Sequence, residues 1–348
     1  MRAPFRLGDK QIPAASRAII DLPLMDISMH TPVNMPAHVV HGRRDGPVLF
    51  VCAALHGNEI NGIEIIRRLL NLSALKGLRG TLLAVPIVNV FGFLNQTRYL
   101  PDGRDLNRSF PGSPKGSLAG RLANLFLREV VAQSTHGIDL HTGAVHRTNF
   151  PQIRADLDDS ETADLAHSFG VPLIINAGLR QGSLRAAAGE RGVRVLVYEA
   201  GEALRFDETC IRAGVKGVIR VMQRLGMIAR RSSGQLTPLT IRDSRWERAP
   251  SSGILRSIIE PGSAVREGKL LGLISNPFGA AEVEVRAPFD GVLLGGTTLP
   301  VVYEGAALYH IGLSEGSKAS ADTLDAFEPD AAYDSGSTAE IADEPPLV

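Results

Sequence analysis

Cysteine is nearly absent from this chain, with two in 348 residues, Cys52 in an apolar run and Cys210 in a predicted helix. Two scattered thiols build neither a disulfide framework nor a Cys-rich metal site, so a reducing, cytoplasmic compartment is expected. No stretch approaches the ~18 consecutive apolar residues that a membrane span needs, which excludes an integral membrane protein. The opening MRAPFRLGDKQIP meets Asp9 and Lys10 before any apolar segment, so no secretory signal is expected. Charge of one sign is also missing. Lys+Arg and Asp+Glu stand at 37 each, without the basic excess of a nucleic-acid binder. There is no Walker A sequence and no GxGxxG, so nucleotide chemistry has no support. What remains, 44% hydrophobic and 21% charged, is the composition of a folded globular chain.

At roughly 100 to 200 residues per domain the length predicts two domains. From Pro47 to Leu225 apolar β-type runs alternate with helical patterns, the signature of an α/β layer fold with a largely parallel sheet. Pro47 to Leu55 reads as a strand buried on both faces. After it, Ile60, Ile63, Ile66 and Leu70 recur at helical spacing, which puts Asn58 and Glu59 in the first turn of a helix. Further strands are predicted at Thr81 to Val88, Gly137 to Leu140, Pro172 to Asn176 and Val193 to Tyr198. Helices are predicted near Leu118 to Val131, capped by Ser117, and over Asp207 to Leu225. Between the second strand and its helix lies a long loop containing RYLPDGRDLNRSFPG, and long loops in compact domains are commonly functional.

The chemistry gathers at strand ends. His56 and Glu59, three apart, make a metal half-site, although an isolated His-x-x-Glu is more often a surface histidine beside a capped helix. Context changes the balance at Asp139-Leu140-His141-Thr142-Gly143, where His141 follows a predicted strand, as His56 does. Open α/β sheets collect their functional groups at the carboxyl ends of strands. Two histidines and a glutamate with one open position are the donor set of zinc hydrolases. Asp139 is either a support for a ligand or a structural hydrogen-bonder. Glu199 ends the apolar run VRVLVY and is either a helix cap or the general base that takes a proton from water and passes it to a leaving amine. Asn107 and Arg108 supply an amide beside a guanidinium that can grip a carboxylate through two bonds, the alternative being a loop salt bridge to Asp102 or Asp105.

HGNE at His56 to Glu59, RDLNRSFPG at Arg104 to Gly112, DLHTG at Asp139 to Gly143 and EAG at Glu199 to Gly201 together resemble the succinylglutamate desuccinylase/aspartoacylase family of the zinc carboxypeptidase superfamily. The resemblance covers about Pro47 to Leu225. It implies one Zn²⁺ per chain on His56, Glu59 and His141, with Glu199 as general base. It also implies carboxylate binding by Asn107 and Arg108, and polarisation of the scissile carbonyl by Arg98. The inserted PDGR makes Arg104 a competitor for the place of Arg98. No motif says which of Arg180, Arg185, Arg191 and Arg194 reads a second substrate carboxylate.

The implied architecture is a three-layer α/β/α zinc-carboxypeptidase-like domain with a mostly parallel mixed sheet over residues 1–228 and a linker at 229–240. A small all-β barrel-sandwich domain of biotinyl/lipoyl type follows at 241–313, then an acidic, disordered tail at 314–348. The tail carries nine acidic residues against one lysine. The stretch matching the carrier hairpin tip, Asn276 to Glu282, has no lysine, so a structural or lid role is expected in place of a carrier. His310 is expected to be a packed strand residue. Gly312 to Gly316 matches GxSxG, but neither a helix nor a histidine follows, and a nucleophile elbow is rejected. The expected function is zinc-dependent deacylation of an N-acyl amino acid or similar small carboxylate by metal-activated water. The alternatives are carboxypeptidase-like removal of a C-terminal residue such as glutamate from a peptide, and a non-catalytic binding module. The expected partners are the small substrate or a short peptide, with no nucleic acid or membrane and with homo-oligomerisation left open.

Overall fold

The computed structural model describes residues 2–27, 31–230, 237–279, 282–314, Leu324 and Phe327. The α/β part runs β1 (Ser16–Ile27), β2 (Thr31–His41), β3 (Arg44–Ala53), α1 (Asn61–Leu70), β4 (Arg79–Val85), α2 (Leu118–Glu129), β5 (His136–Gly143), β6 (Arg147–Ala155), α3 (Ser160–Phe169), β7 (Leu173–Asn176), α4 (Leu184–Gly189), β8 (Arg194–Glu202) and α5 (Glu208–Arg224). Strands β8, β5, β3 and β4 lie side by side and parallel, and β6, β2 and β1 extend this block antiparallel, giving a mixed sheet.

Two apolar layers sandwich that sheet. On one face Val51, Ala53, Ile138 and Leu196 pack against Ile65 and Leu69 of α1, Leu165 of α3 and Val218 of α5. On the other, Phe50, Cys52, Val85 and Val195 meet Leu122 and Phe126 of α2 and Leu184 of α4. Strands covered on both faces must be apolar on both, which is why β3 and β8 read as continuous runs. Small polar residues cap three of the helices: Ser117 accepts from Gly120 N, Asp159 from Thr162 N and Asp207 from Cys210 N.

Three elements depart from the sequence reading. Strands β1 and β2 form a long hairpin despite Pro23, Pro32 and Pro36, because β1 is an edge strand and β2 pairs with β4 only from His38 to His41. Helix α1 starts at Asn61, leaving Asn58 and Glu59 in the preceding turn, where Glu59 N bonds His56 O at 3.0 Å. The C-terminal strands do not stand apart as a closed unit. Leu239–Ile241 (β9), partly inside the expected linker, pairs with β7, and Gly291–Thr297 (β11) pairs with β6. Beyond β11 the sheet continues through Ala307–Leu313 (β12) to Ser244–Arg248 (β10), for thirteen strands among the described residues. A separate four-stranded antiparallel sheet, including Gly253–Ser257 and Leu270–Ser275, faces this extension across its own apolar core. Of the expected tail, Leu324 is buried in the cluster around Leu173 and Ile241, and Phe327 lies edge-on to Phe150. Apart from Ser314, the rest falls outside the described residues.

Candidate metal centre and substrate site

Strand β3 ends at Ala53, and Ala54 then turns the chain with φ +48°, a left-handed conformation costing about 1–2 kcal/mol for a residue with a side chain. Bonds from Val88 N to Ala53 O and from Asn89 N to Ala54 O hold it there. Gly57 follows because a Cβ at that position would come within 2.0 Å of the Gly92 backbone. The turn thereby delivers His56 and Glu59 to the carboxyl end of the sheet, and β5 delivers His141 beside them.

Each histidine turns its Nδ1 toward Glu59, His56 to Oε1 at 2.8 Å and His141 to Oε2 at 2.7 Å. Each donates its Nε2–H to an aspartate, His56 to Asp105 at 3.2 Å and His141 to Asp139 at 2.8 Å. One donor atom from each of His56, Glu59 and His141 lies within 4.8 Å of the others, and all three residues are buried. The two aspartates accept from Nε2 and so hold both Nδ1 atoms toward the Glu59 carboxylate, the carboxylate–histidine arrangement found around metals. The electrostatics agree. Burial alone would lower the His56 and His141 pKa values, yet the facing carboxylates outweigh it and raise both. Glu59 is held far below the usual carboxylate range by the two imidazoles, against a desolvation that works the other way. The pocket is built for positive charge, and its donor set fits zinc.

Arg98 donates to Glu59 Oε1 at 3.2 Å and to Asp105 Oδ2 at 2.9 Å, whereas exposed Arg104 reaches only Asp102, at 3.8 Å. Asn107 Oδ1 accepts from Leu184 N, pinning the start of α4 to the loop. Arg108 bonds its neighbour's backbone carbonyl and has no carboxylate partner among the described residues. The loop salt bridge considered for it does not form: Asp105 is taken by His56, Arg98 and Asn107 N, and Asp102 by Arg104 and the backbone N of Ala119. Glu199 stands opposite His141 in the β8–β5 register and caps no helix. Its Oε2 accepts from Asn149 at 2.7 Å, and its Oε1 lies 3.3 Å from Arg154 Nε. Of the four upstream arginines, Arg194 pairs with Asp159 and Glu161, Arg191 bonds Ala187 O and Arg180 is exposed. Half-buried Arg185 is within electrostatic reach of Glu199 and Asp139.

Sequence reasoning did not single out Asn149, Gln152, Arg154 or the support given by Asp105. The first three lie on β6, a strand it left unrecognised. Asp105 lay in view within RDLNR, two residues before Asn107.

A family model described as the succinylglutamate desuccinylase/aspartoacylase catalytic domain matches residues 45–225. The chain belongs to that family. An N-α-acetyl-L-2,4-diaminobutyric acid deacetylase of Halomonas elongata is 28% identical over 300 residues, covering 82% of this chain and 87% of that protein. Solved structures share the fold. The ectoine utilization protein EutE (DoeB) of Ruegeria pomeroyi, in a product-bound structure, superposes with TM-score 0.77 at 23% identity, over 90% of this chain and 100% of that one. A succinylglutamate desuccinylase from Silicibacter sp. TM1040 superposes with TM-score 0.76 at 24% identity, over 86% and 95%.

Proposed function

We propose that the chain is a zinc-dependent amide hydrolase that deacylates an N-acyl amino acid or a similar small carboxylate. The observation carrying this reading is the buried His56–Glu59–His141 cluster, with both Nδ1 atoms facing one carboxylate and both Nε2–H groups held by aspartates. Family membership and the deacetylase name of the Halomonas relative support amide hydrolysis.

His56, Glu59 and His141 would hold the zinc, which when bound supplies Lewis acidity to polarise the scissile carbonyl and acidify water. Arg98, in reach of Glu59, presents N–H donors to the oxygen on which charge develops. Glu199, opposite His141, takes the proton from the attacking water and delivers it to the leaving nitrogen. The C–O bond forms, the C–N bond breaks, and a carboxylate and an amine leave. Arg108, unpaired at the loop surface, binds the substrate carboxylate next to the scissile amide, with Asn107 beside it. Cys52 and Cys210 are both unpaired and buried, which fits the cytoplasm. Among the described residues no helix is long and apolar enough to cross a membrane.

The test is metal analysis of the purified protein, expected near one zinc per chain, together with turnover of N-acetyl, N-succinyl and N-formyl amino acids beside Glu-terminated peptides. Full metal retention in His141→Ala sinks the ligand set. Cleavage of the peptides alone transfers the site to a carboxypeptidase-like reaction.

A further inference from the structure

Strand β1 is the outermost strand at one end of the large sheet, and among the described residues β2 is its one neighbour there. It is 12 residues long, whereas β10 at the opposite end has 5. A long open edge is a template for a further strand, and folded proteins commonly blunt one with proline, with charge or with a bulge. Pro23 and the irregularity after it do so at one end of β1, which leaves Ser16 to Leu22 in regular register.

A proline on β2 shows which backbone groups face the edge. In an antiparallel pair, opposed residues alternate between exchanging both N–H···O bonds and exchanging none. Pro36, opposite Asp21, has no N–H, so Asp21 sits in an unbonded pair, and Ile19 opposite His38 and Arg17 opposite Val40 do the same by alternation. The N–H and C=O groups of Arg17, Ile19 and Asp21 therefore turn away from β2 toward the open edge. Pro23, next in this series, has no N–H to offer and ends it.

The side chains of these three residues share one face and are exposed, Ile19 to 69%. Arg17 donates to Leu70 O, and neither Arg17 nor Asp21 has an ion-pair partner among the described residues. Charges on an edge strand usually discourage pairing. Here they are of opposite sign and stand symmetrically about Ile19. We propose that β1 is a homodimer interface, pairing antiparallel with β1 of a second copy about a twofold axis at Ile19, so that two sheets become one. Arg17 then faces the partner's Asp21, Ile19 faces the partner's Ile19, and each pair is one in which both backbone bonds form. Sliding the second copy by two residues sets a charge against Ile19, and sliding it by four sets like charges together, so the register is specified. On the other face Ala18 meets the partner's Ile20, which continues the apolar layer that holds Ile20 and Leu22.

Sedimentation of the full chain at about 1 to 100 µM, the range of a modest interface, should show a concentration-dependent dimer. Asp21→Arg and Arg17→Asp each oppose like charges at both ends of the pairing, and each should weaken association by about tenfold or more. Mixed in equal amounts, the two variants should recover a heterodimer, because each supplies the charge that the other lacks. Ile19→Cys places two thiols across the axis at the Cα spacing of about 5.5 Å for a bonded pair, which suits a disulfide. Cys52 and Cys210 are buried, so mild oxidation should cross-link this variant through the axis, and adding Asp21→Arg should abolish the cross-link. Arg17→Asp also gives up the bond to Leu70 O, and should it fail to fold, Asp21→Arg and Ile19→Cys carry the test. A wild-type chain that stays monomeric across the range overturns the interface. So do wild-type association in a folded Asp21→Arg protein and a mixture of the two folded charge variants that remains monomeric.

Discussion

Asp139→Asn isolates the support of one proposed ligand without touching the ligand itself. In the wild type, Asp139 Oδ2 accepts from His141 Nε2 at 2.8 Å, its Oδ1 accepts from Cys52 Sγ at 3.4 Å, and both partners are buried. The asparagine keeps the shape but drops the charge, so the imidazole loses the partner that fixes its tautomer and raises its basicity. Loss of a partner behind a metal-bound histidine typically costs 10- to 100-fold in metal affinity, or about 1.4 to 2.7 kcal/mol at about 1.4 kcal/mol per decade. The same bond can be followed without metal. Asp139 is the largest influence raising the His141 pKa against its burial, so in the metal-free protein that pKa should fall on substitution. Competition with a chromophoric zinc chelator gives the affinity, and NMR titration of the ring gives the pKa. Zinc affinity within twofold of wild type, with the His141 titration unmoved, would refute the claim that Asp139 orients a ligand.

Glu199→Gln should retain zinc and lose at least about 10²-fold in kcat, the scale of general-base catalysis, and near-normal turnover would leave Glu199 a structural partner of Asn149 and Arg154. Arg108→Lys should lower kcat/KM by about tenfold or more at an almost unchanged Tm, because lysine keeps the charge but not the two-bond fork. Amidating the substrate carboxylate should hurt wild type far more than this variant. His310, stacked on Trp246 and bonded to Ser244, has its pKa pushed down to about 4 by burial and by the charge of Arg154. The folded state therefore stays neutral while the unfolded chain takes a proton, and stability should fall as pH drops from about 6.5 toward 4, by at most roughly 3 kcal/mol. His310→Phe should flatten that slope in Tm measured across this range. A Cβ on Gly295 would lie 2.4 Å from Thr148 O and 2.6 Å from Asn149 Oδ1, so Gly295→Ala should lower stability by about 1–3 kcal/mol and reduce kcat without releasing zinc. An unchanged Tm would show that β11 stands off from β6.

The doubly covered strands were legible because burial on both faces leaves a continuous apolar run, and β3, β5 and β8 fall within a few residues of their predicted places. Ser117 and Asp207 marked helix starts for the reason that small polar side chains accept from the first turn. What escaped was polar or punctuated. Strand β6 carries Asn149, Pro151, Gln152 and Arg154, two of them paired with Glu199, so its pattern lacks the apolar signal that periodicity detects. Strands β1 and β2 were hidden by prolines that edge positions tolerate. The candidate metal-site residues were readable as motifs, since His56 and Glu59 follow the end of β3 and His141 lies near the end of β5. The tie between Asp105 and His56 spans 49 positions, and no local pattern reports it.

The change of composition near residue 230 is a boundary in the sequence, but the sheet crosses it. Strand β11 pairs with β6 at Gly295–Asn149, Gly296–Thr148 and Thr297–Arg147, and Asn149 is the residue that donates to Glu199. One turn away, Glu202 accepts from both His146 N and Thr298 Oγ1, and Thr298 N returns a bond to His146 O, so the loops after β5 and β11 are closed on each other. The β11 pairings and the bonds of Thr298 satisfy groups that the α/β part alone would leave to water along this part of β6. The C-terminal strands thus pair along the edge that carries Asn149, the residue that donates to Glu199.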